Sequence, residues 1–481
     1  MKKSLWVLTF LSVLTRLSVA TTTDAHPNVL LIIIDDLNLS LGCYGNKEVK
    51  SPNIDRLAAR GTRFERAYCQ YPRCNPSRVS LLSGRRPEST GVYNLSTTAR
   101  TALPDAVLLP QFFRQKGYYS AGAGKVFHNA KVSDAACWDR YEDAPPEDPE
   151  EQAAIAARYG GGESIGDGRP RAHILTSDGV HTRDGKNIRT IRSLITEKNA
   201  AAAPFFLAAG LHKPHLPWTA PKKFFDLYPA GSITIPTEPA LRNVPAIALQ
   251  TELSGFAPPA SRVAAIQGYY ACISFSDYHV GLLLDELDRL DLWKNTVVVL
   301  MGDNGFHLGD HAGLWAKLSA FDAATRVPLI MAGAGVPVGR VMTTPVELLD
   351  IYPTLIDLSG LAKITGLEGQ SLVPLWQSQS TAEHRPAASL VYHYDVASHA
   401  DVLGRTVIAE HWRYTEWNEG QAGRELYWRA DDASEYHNRF GDPRLAEAQQ
   451  AGQEFLRLAP TPKLGPANRP RALLPEPQKL P

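Results

Sequence analysis

The chain has no surplus of either charge: Lys plus Arg and Asp plus Glu each number 50. That excludes a global field able to recruit nucleic acid or an anionic membrane surface, so any anion must be read locally. Beyond residue 20 there is no apolar run long enough for a membrane helix, and no internal repeat. Cysteine is scarce, with five in 481 residues. Neither a nucleic-acid-binding protein nor a multi-span membrane protein is expected. The length suffices for one large core and a smaller second lobe.

The N-terminus carries the one apolar run. Lys2 and Lys3 precede it, it covers residues 5–14, and Ser18, Val19 and Ala20 offer small residues for cleavage. A secretory signal peptide over residues 1–20 is expected, with export to a periplasm or the exterior. An uncleaved N-terminal anchor is the lesser alternative, and no cysteine follows the run to accept a lipid. Cys43, Cys69, Cys74, Cys137 and Cys272 permit disulfides in an exported protein without specifying any, so none is predicted. Cys272 lies in the helical-looking stretch GYYACISFSDYHVGLLLDEL and is expected in the core.

The stretch YPRCNPSRVSLLSGRRPESTGVY, residues 71–93, organises the rest. Asn75 suits an N-cap and Pro76 the first helical position, which predicts a helix opening there and running to about Leu82. Cys74 then sits at the helix mouth. Free backbone N–H groups and the positive end of the helix dipole favour an anion at that point, and Arg78 adds a fixed charge one turn on. A tetrahedral oxyanion suits such a site. The plain alternative for Cys74 is a buried structural thiol.

Residues 28–34, NVLLIII, form a continuous β-branched apolar run that fits a strand buried on both faces, as in a parallel sheet. The run ends in Asp35 and Asp36. In open α/β sheets ligands bind beyond the carboxyl ends of the strands, and two adjacent carboxylates there are costly unless a cation offsets them. The pattern recurs. Residues 296–301 empty into Asp303 and Asn304, residues 205–210 into His212, Lys213 and His215, and residues 118–122 into Lys125 and His128. One rim of one sheet could collect them all.

Helices are predicted over residues 53–60 and 109–116, closed by Gly61 and Gly117. Strand and helix alternate, so the expected fold is α/β with a large, mixed, mostly parallel sheet flanked by helices. Residues 142–171 and the proline-rich residues 236–259 read as surface excursions at the entrance to the site. A composition shift divides the chain into a catalytic unit over residues 26–374, a C-terminal subdomain over 375–458 and a Pro-rich tail over 459–481. The subdomain, with TVIAEHWRYTEW and RELYWRADDASEYHNRF, is expected as a small antiparallel sheet backed by a helix over residues 443–457.

The run CNPSR followed by SLLSGRRP resembles the signature of the type I sulfatases, of the alkaline phosphatase superfamily. DNGFHLGDHAGLWAKLSAFDAATRVPLI is similar to the block that carries two metal ligands and a distal lysine in that family. GKVFH, LHKPHLPW, LGCYGN, RYTEW and ELY are similar to segments of its iduronate-2-sulfatase branch. The resemblance implies a sulfuric ester hydrolase in which Cys74 is oxidised to formylglycine by a formylglycine-generating or other sulfatase-maturing enzyme. It implies a calcium ion, with magnesium the alternative, held by Asp35, Asp36, Asp303, Asn304 and the modified Cys74. An all-oxygen set of this kind suits a hard divalent ion and not zinc. The branch usually has Asp-His where this chain has Asp303 and Asn304, which keeps an oxygen ligand and leaves the exact substrate open.

The same resemblance gives roles. Arg78 and Lys125 hold the formylglycine hydrate and sulfate oxygens, Lys317 and His212 contact sulfate from the leaving-group side, and His128 is the base for sulfate release. His215 is read as shaping the wall, His307 and His311 as structural or substrate-facing, Asp310 as structural and Arg326 as an ion-pair partner. The expected substrate is a sulfated sugar, with the 2-O-sulfate of a uronic acid in a glycosaminoglycan or another polysaccharide as one form. Alternatives are a phosphomonoesterase or phosphodiesterase of the same superfamily, and a catalytically silent glycan-binding protein with Cys74 unmodified.

Overall fold

The computed structural model describes residues 26–143, 145–159, 172–201, 203–235, 237–250, 259–377, 385–395 and 400–464. The expected signal peptide, residues 160–171 and 251–258 of the two excursions, and residues 465–481 of the tail lie outside the described residues.

A nine-stranded sheet organises the larger part of the chain, in the order Arg340–Met342, Gly61–Tyr68, Arg326–Gly333, Thr296–Gly302, Asn28–Ile34, Phe205–Leu211, Tyr119–Gly124 and Arg140–Glu142, with Val346–Glu347 also on Gly61–Tyr68. Arg326–Gly333 runs against both its neighbours and the other pairings are parallel, so the sheet is mixed and mostly parallel. Asn28–Ile34 sits at the centre with every residue buried. Leu30, Ile32 and Ile34 face one core, while Val29, Leu31 and Ile33 face the other. The unbroken apolar run exists because both faces of the strand are covered by helices.

One face is covered by Pro52–Arg60, Arg183–Ala200 and Pro259–Arg289, the other by Cys74–Ser83, Leu109–Gln115 and Ile351–Leu358. Cys272 is buried in Pro259–Arg289, and all five cysteines are free. Two stretches read as excursions carry more structure than expected. Pro149–Tyr159 is a helix whose Glu151 is buried and accepts hydrogen bonds from Arg183 N at 2.7 Å and Thr219 Oγ1 at 3.3 Å. Ala246–Leu249 forms a 3-10 turn, and Ala248 packs in a cluster with Leu314 and Trp417.

A separate antiparallel sheet holds Ala387–Asp395, Ala400–Ile408, Trp412–Trp417 and Gly423–Trp428 in that order. Behind it, Pro443–Leu445 makes a 3-10 turn before the helix Ala446–Leu458. Gly452 lets that helix lie on the sheet, since a Cβ there would fall 2.6 Å from Tyr414 Cγ. No helix among the described residues is long and apolar enough to cross a membrane.

The register brings the strand ends level. Ile34 lies opposite Leu211 and Gly302, and Gly124 lies opposite Gly210. Asp35, His212, Asp303 and Lys125 therefore leave the sheet at one rim, at the carboxyl ends of its parallel strands.

Candidate active site

The helix Cys74–Ser83 opens two residues earlier than the sequence predicts, with extended Arg73 as its N-cap. Asn75 does not cap it. Its side-chain amide donates to Asn94 O and Thr97 O, both at 2.9 Å, and so ties down the neighbouring loop. Pro76 stays within the first turn, where its missing N–H is no loss. Every residue of this helix is buried, and its N-terminal end faces the rim.

Three buried carboxylates, Asp35, Asp36 and Asp303, bring oxygens within 4.8 Å of one another. Three buried cations answer them. Arg78 donates through Nε to Asp303 Oδ2 at 2.8 Å, lies 3.4 Å from Asp35 Oδ1 and also donates to Val126 O at 3.1 Å. Lys125 pairs with Asp35, and Lys317 with Asp36. Cys74 Sγ sits among them, 3.2 Å from Asp35 Oδ1, 3.0 Å from Lys317 Nζ and 3.7 Å from Lys125 Nζ.

Asp36 follows the strand with a left-handed backbone, φ +60°, which Asp tolerates better than most residues. Its N–H donates to Asp303 Oδ1 at 3.1 Å, and its carbonyl accepts from Tyr269 OH at 2.6 Å. Asn304 donates through Nδ2 to Asp36 Oδ1 at 2.8 Å, whereas its Oδ1 is buried with no hydrogen-bond partner among the described residues. A buried amide oxygen without a donor is unfavourable unless something electropositive meets it. The donor set is all oxygen and includes three carboxylates, which fits a hard divalent cation.

The charges act unequally. Burial alone would raise the Asp35 carboxyl, but Lys125, His215, Arg78 and Lys317 together hold it well below the ordinary carboxylate range. Burial raises Asp36 despite Lys317, and pushes Asp303 up to about 7 despite Arg78. Burial also raises the Cys74 thiol, with Asp35 adding to it, so the unmodified side chain is a poor nucleophile. Lys317 is held well above its ordinary value: burial would lower it, and Asp36 overcomes that.

The two histidines of the loop after Phe205–Leu211 have separate environments. His212 is turned to Asp184, which accepts from His212 N at 2.8 Å, His212 Nδ1 at 3.1 Å and Lys213 N at 2.9 Å. Its Nε2 lies 3.6 Å from Asp143 Oδ1. His215, read from sequence as wall, is the one that reaches the cluster. Its Nδ1 donates to Leu216 O at 2.7 Å, and its Nε2 lies 3.9 Å from Asp36 Oδ2, within the same group as Asp35 and Cys74. Sequence offers only the shared HKPH motif as a signal, and Asp184 and Asp143 give none.

His128 is half-buried. Burial, followed by Lys125, lowers its pKa to about 2, so it is neutral. Its Nδ1 has no hydrogen-bond partner among the described residues. His307, Asp310 and His311 form a second cluster, with Asp310 Oδ2 2.5 Å from His307 Nδ1 and 2.7 Å from His311 Nδ1. Arg326 donates to Glu65 O at 2.7 Å and lies 3.7 Å from Asp322 Oδ2.

Comparison with known proteins agrees with this geometry. The family model described as sulfatase matches residues 27–361, and one described as N-sulphoglucosamine sulphohydrolase, C-terminal, matches residues 309–459. A sulfatase of Formosa agariphila is 34% identical over 451 residues, covering 86% of this chain and 82% of that protein. The iduronate 2-sulfatase of Mus musculus is 32% identical over 513 residues, covering 87% of this chain and 92% of that protein. The phosphonate monoester hydrolase of Agrobacterium radiobacter shares the fold, with a TM-score of 0.70 at 21% identity over 90% of this chain and 95% of that one.

Proposed function

The chain belongs to the sulfatase family and is a sulfuric ester hydrolase, and from that premise we propose that it releases sulfate from a sulfated carbohydrate, the 2-O-sulfate of a uronic acid being the specific form. The observation that carries the reading is the meeting of Lys317, Lys125 and Asp35 on Cys74 Sγ at the opening of a buried helix. The name of the murine relative supports the uronate 2-sulfate.

Asp35, Asp36, Asp303 and Asn304 would hold calcium, or magnesium, together with the modified Cys74; the unpartnered Asn304 Oδ1 supports an ion there. Such an ion supplies positive charge that polarises a sulfate oxygen and favours an ionised hydroxyl beside it. The formylglycine hydrate that oxidation of Cys74 would yield supplies one hydroxyl to attack sulfur and a second whose deprotonation frees the sulfate.

The remaining chemistry belongs to ordinary side chains. Arg78 fixes Asp35 and Asp303 and keeps charge behind the nucleophile. Lys125 and Lys317, on either side of Cys74, hold the sulfate oxygens as negative charge develops on them. His128, whose Nδ1 has no hydrogen-bond partner among the described residues, takes the proton that sulfate release requires once bound sulfate offsets the charge of Lys125, which adds to burial in weakening it as a base. His215 takes the leaving-group role that the resemblance gives to His212, because its Nε2 is the one that reaches the cluster, 3.9 Å from Asp36 Oδ2. His212 instead joins the loop to Asp184.

His215→Ala is expected to lower kcat/KM by about 10²-fold or more, whereas His212→Ala, with the backbone contacts to Asp184 intact, costs less than about tenfold. Steady-state kinetics of the two variants decide it, and the reverse order of effects returns the role to His212.

Maturation, with its oxidant, is assigned to a formylglycine-generating or other sulfatase-maturing enzyme. Location in a periplasm or outside the cell rests on the charged and apolar stretch at residues 2–20. The division into units over residues 26–374 and 375–458 rests on composition and on the separate antiparallel sheet. The test of function is the peptide mass across residues 71–78 in protein from a host that matures sulfatases, followed by sulfate release from a panel of sulfated sugars and matching phosphate esters. A formylglycine mass with sulfate release from 2-O-sulfated uronates is expected. An unmodified thiol, or faster cleavage of the phosphate esters, overturns the reading.

A further inference from the structure

Lys317 sits on neither a strand nor a helix. It lies on the turn that leaves the two-stranded ladder of His307–Gly309 and Leu314–Ala316, where His307 pairs with Ala316. Both its neighbours are left-handed, Ala316 at φ +66° and Leu318 at φ +69°. L-residues with a side chain disfavour that conformation, so a turn of this kind relaxes unless its surroundings hold it. Leu318 N donates to Pro72 O at 3.3 Å, which ties one side of the turn to the approach to Cys74.

The next residue on that side is tied by a relay that the proposed chemistry does not use. His307 Nε2 lies 2.6 Å from Ser319 Oγ, two residues beyond Lys317, and His307 Nδ1 lies 2.5 Å from Asp310 Oδ2. Burial would raise the Asp310 carboxyl, but His307 and then His311 hold it far below its ordinary range. The Asp310 carboxylate accepts from His307 Nδ1–H, which leaves His307 Nε2 to share a hydrogen bond with the Ser319 hydroxyl. His311, on the same carboxylate, stacks between Phe321 at 4.1 Å and Tyr436 at 4.5 Å, and its backbone N–H donates to Tyr436 OH at 3.3 Å.

Serine, histidine and aspartate in this contact order are the makings of an acyl-transfer triad. Here His307 and Ser319 are both 0% exposed. No substrate reaches Oγ, and the order acts on the chain itself. We infer that Ser319, His307 and Asp310 are positioning residues that lock the turn carrying Lys317, so that Nζ stays against Asp36 and Cys74. The inference rests on the reading of Lys317 as a sulfate contact.

A double-mutant cycle tests it. Ser319→Ala and His307→Phe are made alone and with Lys317→Ala, and two quantities are read: kcat/KM on the sulfated sugar chosen by the panel, and affinity for inorganic sulfate by calorimetry. Each single variant is expected to lower both by about tenfold or more, and by less than about twofold in the Lys317→Ala background, because residues acting through one side chain are not additive. Equal losses in both backgrounds overturn the relay and leave a merely structural cluster, as does a single variant that loses nothing. Ser319→Ala removes one hydroxyl and carries the test if His307→Phe does not fold; the sulfate affinities carry it where turnover is too slow. An active Lys317→Ala protein instead refutes the parent role of Lys317, a result distinct from additivity.

Discussion

Cys74→Ser is expected to take up about one sulfuryl group per chain and then stall, with multiple turnover down by about 10³-fold or more relative to the matured enzyme. Cys74 is almost wholly buried, and serine replaces sulfur by a smaller oxygen, so the helix it opens and the contacts of Lys317 and Lys125 should survive. Attack by the serine hydroxyl is then feasible, since the cations that hold the sulfate are in place. Release is not, because the resulting serine ester has no second hydroxyl to expel sulfate and must wait for water. Intact mass of the variant after incubation with substrate reads the trapped SO₃, and a phosphate-free assay of released sulfate reads the turnover. Complete inactivity without a trapped group still fits the need for an aldehyde at Cys74. Sustained turnover by the serine variant would remove the formylglycine mechanism altogether.

How far the sequence can be read depends on whether a residue's neighbours lie in its own segment. Asn28–Ile34 announces itself because burial on both faces demands an unbroken apolar run, and its partners Phe205–Leu211 and Thr296–Gly302 do so for the same reason. Gly61–Tyr68 does not. It lies nearer the sheet edge, where Arg63 and Glu65 pair at 2.6 Å and Arg63 covers the Tyr44 ring, so its charged residues hide a strand. Arg326–Gly333 is apolar enough but antiparallel, and no local pattern reveals direction.

The site residues divide in the same way. Asp35, Asp36, Asp303 and Asn304 are legible as the ends of apolar runs, and Cys74 and Arg78 as a helix opening. The separate settings of His212 and His215 are not, because Asp184, 28 residues upstream of His212, captures two consecutive backbone N–H groups and the His212 ring, while His215 reaches Asp36. Asn75 looks like a cap for want of any sign that the carbonyls of Asn94 and Thr97 claim its amide. Pro149–Tyr159 is hidden by its flanking prolines, although Pro149 followed by Glu150 and Glu151 is itself a helix-opening signal.

Removal of the divalent ion is expected to be as damaging as loss of the nucleophile, and it reports on the fold as well as on the rate. Arg78, Lys125 and Lys317 each already pair with a carboxylate of the cluster, and Asn304 Oδ1 is still left without a donor. A dication would meet that oxygen and the three carboxylates together. Chelation should therefore lower sulfate release by about 10³-fold, the scale on which stabilisation of developing charge acts. Calcium at about a hundredfold over its Kd should stabilise the folded chain by ~2.7 kcal/mol. With an unfolding entropy of roughly 2 cal/mol/K per residue, that is a rise of about 3 °C in Tm for a chain of this size. Asp303→Asn keeps the shape of the side chain and removes one charge from the set, so its Tm should no longer respond to calcium. Parallel titrations with calcium and magnesium by differential scanning calorimetry assign the ion: magnesium demands six near-octahedral oxygens at short distance, whereas calcium accepts an irregular set. A chelated protein that releases sulfate at an undiminished rate and melts at the same temperature with and without either ion would show that the three carboxylates serve only Arg78, Lys125 and Lys317.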